Sequence, residues 1–406
     1  MKNVAPSYCK FDKKIHKPSA QQTQKSSSPS PHTPILNARH APQLRYFAIV
    51  GAIAAGIAGV TPIARANPPL PAPVVSAVRD TSSAQTVQPE ILSSAQAWRN
   101  AQFVRSLGDH LAPVDALAFS PDGKILLSGG SESDGRIKLW WLRSGEEIEN
   151  IRAHRTSVIA LTFTADGKTL ASIGDDAGVN LWEWKTGNLE SAMGRYTRTF
   201  LDHTSNLLAM AVAPDNQTLV TGGLDGIRVW DLRTQRPLYN MVRFDNQTYS
   251  LAVNPNGDFL ASGHKFGTIK FWNLSTGGSL SAISAHTKPV STLAFTPDGQ
   301  RLVSGSYDRT IQVRNLRTGQ LEYTLSGHTG RIRAIAINPD GETLASASHD
   351  GVRLWNLKTG ELLALLTGHE DWVQSVAFSR DGRLLATGGY DRKIRIWQIP
   401  SATAAR

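Results

Sequence analysis

Six of the ten tryptophans fall on one spacing: Trp140, Trp182, Trp230, Trp272, Trp355 and Trp397, with Arg314 filling the slot between Trp272 and Trp355. Successive members are 41 or 42 residues apart, except for one step of 48. A period of this length means one supersecondary unit repeated, each unable to bury its apolar face alone and each buried by its neighbours. A second ladder runs in step with the first: His110, His154, His203, His286, His328 and His369, with Asp245 in the fourth place. A third ladder is a turn, from Asp122-Gly123 and Asp166-Gly167 through Asp215-Asn216 and Asn256-Gly257 to Asp298-Gly299, Asp340-Gly341 and Asp381-Gly382.

Within a unit, short apolar runs are separated by Asp-Gly or Thr-Gly pairs, as in residues 327–362. Such pairs supply the positive φ angles of tight hairpins. Runs apolar on both faces are those of strands buried between stacked sheets. Each unit therefore reads as four short antiparallel strands.

On these residues the chain resembles the WD-repeat β-propeller family. The marks are Gly327-His328 and Gly368-His369 near the start of a unit and Trp230-Asp231 near the end, with Trp272-Asn273, Trp355-Asn356 and Trp397-Gln398 as variants. The resemblance spans residues 98–400. It implies an all-β fold, a seven-bladed β-propeller of four-stranded antiparallel blades. The last unit ends after its Trp strand, and residues 103–110 align with 362–369. The first strand is thus expected to complete the last blade and close the ring, so that removing residues 98–110 unfolds it.

His, Ser or Thr, and Asp recur ahead of each Trp, a combination that elsewhere makes hydrolase triads. The sets are His154, Ser172, Asp176 and Trp182; His203, Thr221, Asp225 and Trp230; His328, Ser346, Asp350 and Trp355; and His369, Thr387, Asp391 and Trp397. His110, Ser128, Asp134 and Trp140 follow after an insertion, and His286, Ser304 and Asp308 go with Arg314. An active site occurs once, and this set occurs six times. The resemblance implies a buried hydrogen-bonded chain tying the strands of a blade together. Blade four departs, with Asp245 for His and Phe266 for Asp, and is expected to be less rigid or held by apolar contacts.

No enzyme is indicated. The chain lacks a P-loop motif, and its histidines are spread around a ring, so neither nucleotide nor zinc is expected. Calcium or a quinone would need acids converging on the channel, and none is evident beyond the turn aspartates. The single cysteine, Cys9, excludes internal disulfides. No cofactor is expected.

The net charge of +10 is an N-terminal property: residues 1–66 hold nine Lys and Arg against Asp12 alone. The rest of the chain, with 34 basic and 32 acidic residues, is near neutral and gives no reason to expect nucleic acid. Residues 1–45 read as a disordered basic lead. Residues 46–66 combine fifteen uncharged residues, Pro62 and Ala64-Arg65-Ala66, as a signal peptide or membrane anchor does. The anchor reading, through residues 46–63, is strained by a run shorter than the roughly 20 residues of a span. Residues 67–97 read as a Pro/Ala/Ser-rich tether, 98–400 as the propeller and 401–406 as a tail.

In the resembling family, partners dock on the face that carries the His loops and the turn aspartates. There Trp372, Tyr390 and Glu370 of blade seven, Arg331 and His349 of blade six and Tyr307 of blade five should point outward, and Trp, Tyr and Arg are the types that anchor interfaces. The expected function is a monomeric, non-enzymatic scaffold outside the cytoplasm, binding other proteins and aiding assembly of an envelope or membrane complex. A cytoplasmic regulatory adaptor and a channel-based enzyme or small-ligand binder are the alternatives.

Overall fold

The turn ladder closes hairpins as its residues predict. At Gly299 φ is +68°, and the equivalent Asn216 of blade three takes +59°, in the left-handed region those residues enter most readily. The turn Asp is latched from the strand behind it. Asp298 accepts from the Thr296 hydroxyl at 2.5 Å and from the Gln300 N–H at 3.0 Å. The same hydroxyl bond joins Ser120 to Asp122, Thr164 to Asp166 and Ser379 to Asp381.

The computed structural model describes residues 93–108, 110–185, 193–200, 203, 206–243 and 247–400. These lie in one compact unit, Ala84–Arg406. A short helix, α1 (Ser94–Trp98), precedes the first strand, β1 (Gln102–Leu107). Blade one is β2 (Val114–Phe119), β3 (Ile125–Gly130), β4 (Arg136–Trp141) and β5 (Glu147–Arg152). Blade two is β6 (Val158–Phe163), β7 (Thr169–Gly174), β8 (Val179–Trp184) and β9 (Met193–Phe200). Blade three is β10 (Leu207–Val212), β11 (Thr218–Gly223), β12 (Gly226–Asp231) and β13 (Arg236–Arg243). Blade four is β14 (Thr248–Val253), β15 (Phe259–His264), β16 (Thr268–Asn273) and β17 (Ser279–Ser284). Blade five is β18 (Val290–Phe295), β19 (Arg301–Ser306), β20 (Ile311–Asn315) and β21 (Leu321–Leu325). Blade six is β22 (Ala334–Ile337), β23 (Thr343–Ser348), β24 (Gly351–Asn356) and β25 (Leu362–Leu366). Blade seven takes β26 (Val373–Phe378), β27 (Leu384–Gly389) and β28 (Ile394–Gln398) from the C-terminal end and its outer strand, β1, from the N-terminal side.

That shared blade is the expected closure. β1 pairs antiparallel with β28 from Gln102 opposite Gln398 to Leu107 opposite Ile394. The innermost strands pack side by side around a circle, with β26 returning to β2. The apolar core is divided accordingly into seven clusters, one at each blade boundary. Each Trp of the ladder is buried against the preceding blade, as Trp140 is against blade seven and Trp355 against blade five. The boundary between blades four and five, where Arg314 replaces Trp, has six fully buried members while the others have eight to eleven.

Six innermost hairpins carry a register shift after their first pair, which skips Asp115, Ile159, Leu208, Tyr249, Ser291 and Gln374. A bulge re-aims the side chain it frees. All six skipped residues line the central channel, with Arg333 beside β22 in the seventh position.

The tether expected over residues 67–97 gives way to packed structure by Ser93. The Ser93 hydroxyl accepts from the Gln96 N–H and the Gln96 side chain returns to the Ser93 N–H, a capping box. Ala95 and Trp98 are buried against blades six and seven. The basic lead, the apolar segment 46–66, most of the tether and the tail lie outside the described residues. Among the described residues no helix is long and apolar enough to cross a membrane.

Candidate protein-docking site

The site is built on a repeated polar frame. In blade six, His328 Nδ1 lies 2.6 Å from Asp350, its Nε2 lies 2.7 Å from the Ser346 hydroxyl, and the Trp355 indole N–H donates to that hydroxyl at 2.8 Å. With the proton on Nδ1, imidazole donates to carboxylate and accepts from the hydroxyl. The same chain links His154, Ser172, Asp176 and Trp182; His203, Thr221, Asp225 and Trp230; and His369, Thr387, Asp391 and Trp397. Blade one repeats it with His110, Asp134, Ser128 and Trp140. A buried chain with all its groups paired holds geometry firmly. Burial by itself raises the Asp176 and Asp350 carboxyls, but hydrogen bonds outweigh it, from His154 and the Arg155 N–H in one and from His328 and Arg353 in the other. Both are held at about 2. Burial lowers the His286 and His328 imidazoles, an effect their carboxylate partners only partly offset.

Two blades differ. In blade four the expectation of apolar contacts is corrected: the Trp272 indole donates to Ser262 at 2.8 Å, and His264 Nε2 lies 2.8 Å from the same hydroxyl. His264 is two residues along β15, so one strand supplies both the hydroxyl and the imidazole. Phe266 takes no part and is 73% exposed, and Asp245 lies outside the described residues. In blade five His286 still bridges Asp308 and Ser304. Arg314 donates instead to the Gly319 carbonyl and to Gln312, leaving Ser304 without an indole donor.

The frame presents its loops on one face, and there the structure brings four of the six expected docking residues together. Tyr307, Arg331, His349 and Trp372 line a hollow of about 330 Å³ with Lys288, Arg309, Thr329 and Gly330. The Arg331 guanidinium lies 5.2 Å from the Tyr307 ring centre, and His349 meets Trp372 edge-on at 5.0 Å. Beneath them the Arg333 guanidinium sits 5.3 Å from both the Tyr307 and Trp372 rings and donates to the Tyr307 hydroxyl at 2.9 Å. Cations over aromatic faces are attracted by the ring quadrupole, so this floor is pre-organised.

The other two expected residues stand aside. The Tyr390 N–H donates to the Trp372 carbonyl at 2.8 Å, and its phenol is held up by burial and by Glu132. Glu370 is exposed and pairs with Lys393 at 3.1 Å, outside the hollow. Lys288, Arg309 and Arg333 were absent from the expected set. For Arg333 the signal was present: the channel residues of blades one, two, three, five, six and seven are the fifth after each ladder His.

The channel also corrects an expectation. One acid other than a turn aspartate does face it: Asp115, near enough to Arg333 to feel its charge. Burial pushes its carboxyl up to about 6, against a hydrogen bond from Ser131 and the charge of Arg333. Among the described residues no second acid lines it, and the charge of Glu132 nearby pushes the Asp115 carboxyl further up.

A closed ring of repeated frames carrying dissimilar loops defines a class, the rigid propeller scaffold. The chain belongs to the WD40 family: the model described as WD domain, G-beta repeat, matches residues 101–140, 145–183, 194–231, 241–273, 277–315, 319–356 and 360–398. Propellers of this family are in general non-enzymatic and typically bind other proteins. Similar proteins include Protein groucho of Drosophila melanogaster, 28% identical over 153 residues, which are 37% of this chain and 20% of that protein. Periodic tryptophan protein 2 homolog of Dictyostelium discoideum is 26% identical over 171 residues, 41% of this chain and 18% of that protein. Anaphase-promoting complex subunit cdh1 of the same organism is 29% identical over 126 residues, 30% of this chain and 16% of that protein. The chain thus spans a fifth or less of these curated relatives.

Proposed function

We propose that this chain is a docking scaffold outside the cytoplasm, either exported or tethered, whose working surface is the loop face of blades five to seven and whose partners are proteins of an envelope or membrane complex. The observation that carries the docking assignment is the hollow over Tyr307, Arg331, His349 and Trp372, where aromatic rings and guanidinium groups are held in place by a frame beneath them. Such residues anchor interfaces, and a rigid frame keeps the cost of ordering low. A relative named as a subunit of a complex is in keeping with a scaffold role. The basic lead and uncharged run of residues 46–60, followed by Ala64-Arg65-Ala66, support the location.

The docking assignment is tested by Trp372→Ala together with Arg331→Ala. Arg331 is exposed and its removal costs little. Trp372→Ala also removes the ring on which Arg333 and His349 pack, at roughly 1–2 kcal/mol. Lost capture of native partners with a melting temperature lowered by only a few degrees is the expected result. Unchanged capture moves the interface elsewhere on the ring. The location is tested by intact mass after cell fractionation. An N-terminus at Asn67 in an extracytoplasmic fraction or full-length chain in the membrane fraction supports it, and full-length chain in the soluble cytoplasm overturns it.

A further inference from the structure

The hollow is cationic without compensation. Lys288, Arg309 and Arg331 line it, and no carboxylate does. Among the described residues none of the three forms an ion pair, whereas Arg228, Arg301 and Arg353 elsewhere on the ring each have an acidic partner within 3 Å. The nearest acids of the frame, Asp308 and Asp350, are turned inward on His286 and His328. Like charges gathered with no counter-charge repel one another, and an incoming anion relieves that repulsion.

The cations come from three separate loops, ahead of β18, between β19 and β20, and ahead of β22. Spread in this way they suit several single charges along a segment better than one concentrated dianion. Two are guanidinium groups, whose planar fork matches a carboxylate. The wall between them is apolar, formed by Tyr307 and Trp372. Beyond Trp372 the surface is mixed in sign: Asp371 and Arg392 are exposed, and Glu370 is paired with Lys393.

We propose that the hollow receives an acidic segment of a partner protein, its Asp and Glu side chains on Lys288, Arg309 and Arg331 and an aromatic or apolar side chain against Tyr307 and Trp372. This rests on the docking face proposed above and adds the chemistry of what docks.

The test is fluorescence anisotropy on the full chain, with a labelled peptide alternating Glu and Tyr, a Lys and Tyr counterpart, and single-stranded oligo-dT as probes. The basic lead of residues 1–66 is common to every variant, so the readout is the difference between wild type and Arg309→Ser plus Arg331→Ser. Both positions are exposed, and an unchanged melting temperature certifies the fold. The expected result is saturable binding of the Glu and Tyr peptide, weakened roughly ten-fold or more in the double variant and further by salt, with no such dependence for the other probes. Equal binding to wild type and variant overturns the proposal. Stronger, arginine-dependent binding of oligo-dT overturns it in favour of nucleic acid. If Trp372→Ala abolishes partner capture while the double arginine variant leaves capture and peptide binding unchanged, the docking face stands and the acidic chemistry falls.

Discussion

The polar frame places titratable groups where their protonation opposes folding. The depressed His286 and His328 imidazoles accept protons less readily folded than unfolded, so stability falls as pH drops below their ordinary value of 6.5. Asp176 and Asp350, held at about 2 against an ordinary 3.8, give a second loss as pH falls from 3.8 towards 2. Asp115 has the opposite sign: raised to about 6, it costs stability above that pH and relieves the cost below it. With Asp115→Asn removing that opposing contribution, urea midpoints should decline below 6.5 and again below 3.8, and a midpoint constant across both ranges in that variant contradicts the frame. At blade five, Arg314→Trp should restore the indole donor to Ser304 and fill the slot lined by Phe259, Phe271 and Leu316. One added hydrogen bond and buried ring are worth about 1–2 kcal/mol, roughly 2–4 °C in Tm per kcal/mol. A lowered Tm would show that Phe259 and Phe271 already occupy the slot. Most of the frame was legible because its residues recur at fixed offsets. His264 was not, because blade four draws its imidazole from β15 instead of the loop before β14, and no period marks that exchange.

Among the elements, β1 and α1 do the closing. Residues 103–110 betrayed β1 by matching the outer strand of blade six, yet α1 left no comparable trace. A five-residue helix is far below the length that is stable alone. It forms because burial of Ala95 and Trp98 against Ala345, Val373, Leu385 and Trp397 holds it there. Trp98 is fully buried and meets Phe378 edge-on at 5.2 Å. Trp98→Ala should cost about 3–5 kcal/mol. Deleting residues 93–107 should cost more, since β28 then loses its partner and Trp397 its contact with Phe103. Chemical denaturation of both variants checks the order, and a deletion as stable as the parent would mean that side-chain packing alone closes the ring. The bulges are the other elements the sequence concealed. Strict alternation predicts which face a residue takes, and each bulge shifts it by one, which is how Asp115 came to face the channel.

At the scale of the whole ring, two kinds of boundary hold the circle. Within a blade, strands share ladders of main-chain hydrogen bonds; between blades, apolar side chains meet, with isolated hydrogen bonds such as Ser250 to the Val290 carbonyl and the Ile332 N–H to the Ser306 carbonyl. Nature has placed the chain ends within a blade, where five paired positions join β1 to β28. Two circular permutants isolate the consequence. Both join Pro400 to Ser93 through the same flexible Gly/Ser linker. One is opened between Ser144 and Gly145, so that β5 closes blade one by pairing with β4. The other is opened between Ser326 and Gly327, at the boundary of blades five and six, where closure rests on apolar packing and a few isolated hydrogen bonds, such as Ser291 to the Ile332 carbonyl and Arg333 to the Tyr307 hydroxyl, instead of a strand ladder. Hydrogen bonds contribute about 0.5–1.5 kcal/mol each when paired, so the first permutant should be the more stable by a few kcal/mol and unfold in one transition. The second should open at its seam first, seen as early loss of hydrogen-exchange protection in β22 and β18. Equal stability and uniform protection in the two would mean that the seven apolar boundaries, and not the shared blade, keep the ring shut. The docking hollow would then owe its rigidity to the core on either side of blade six.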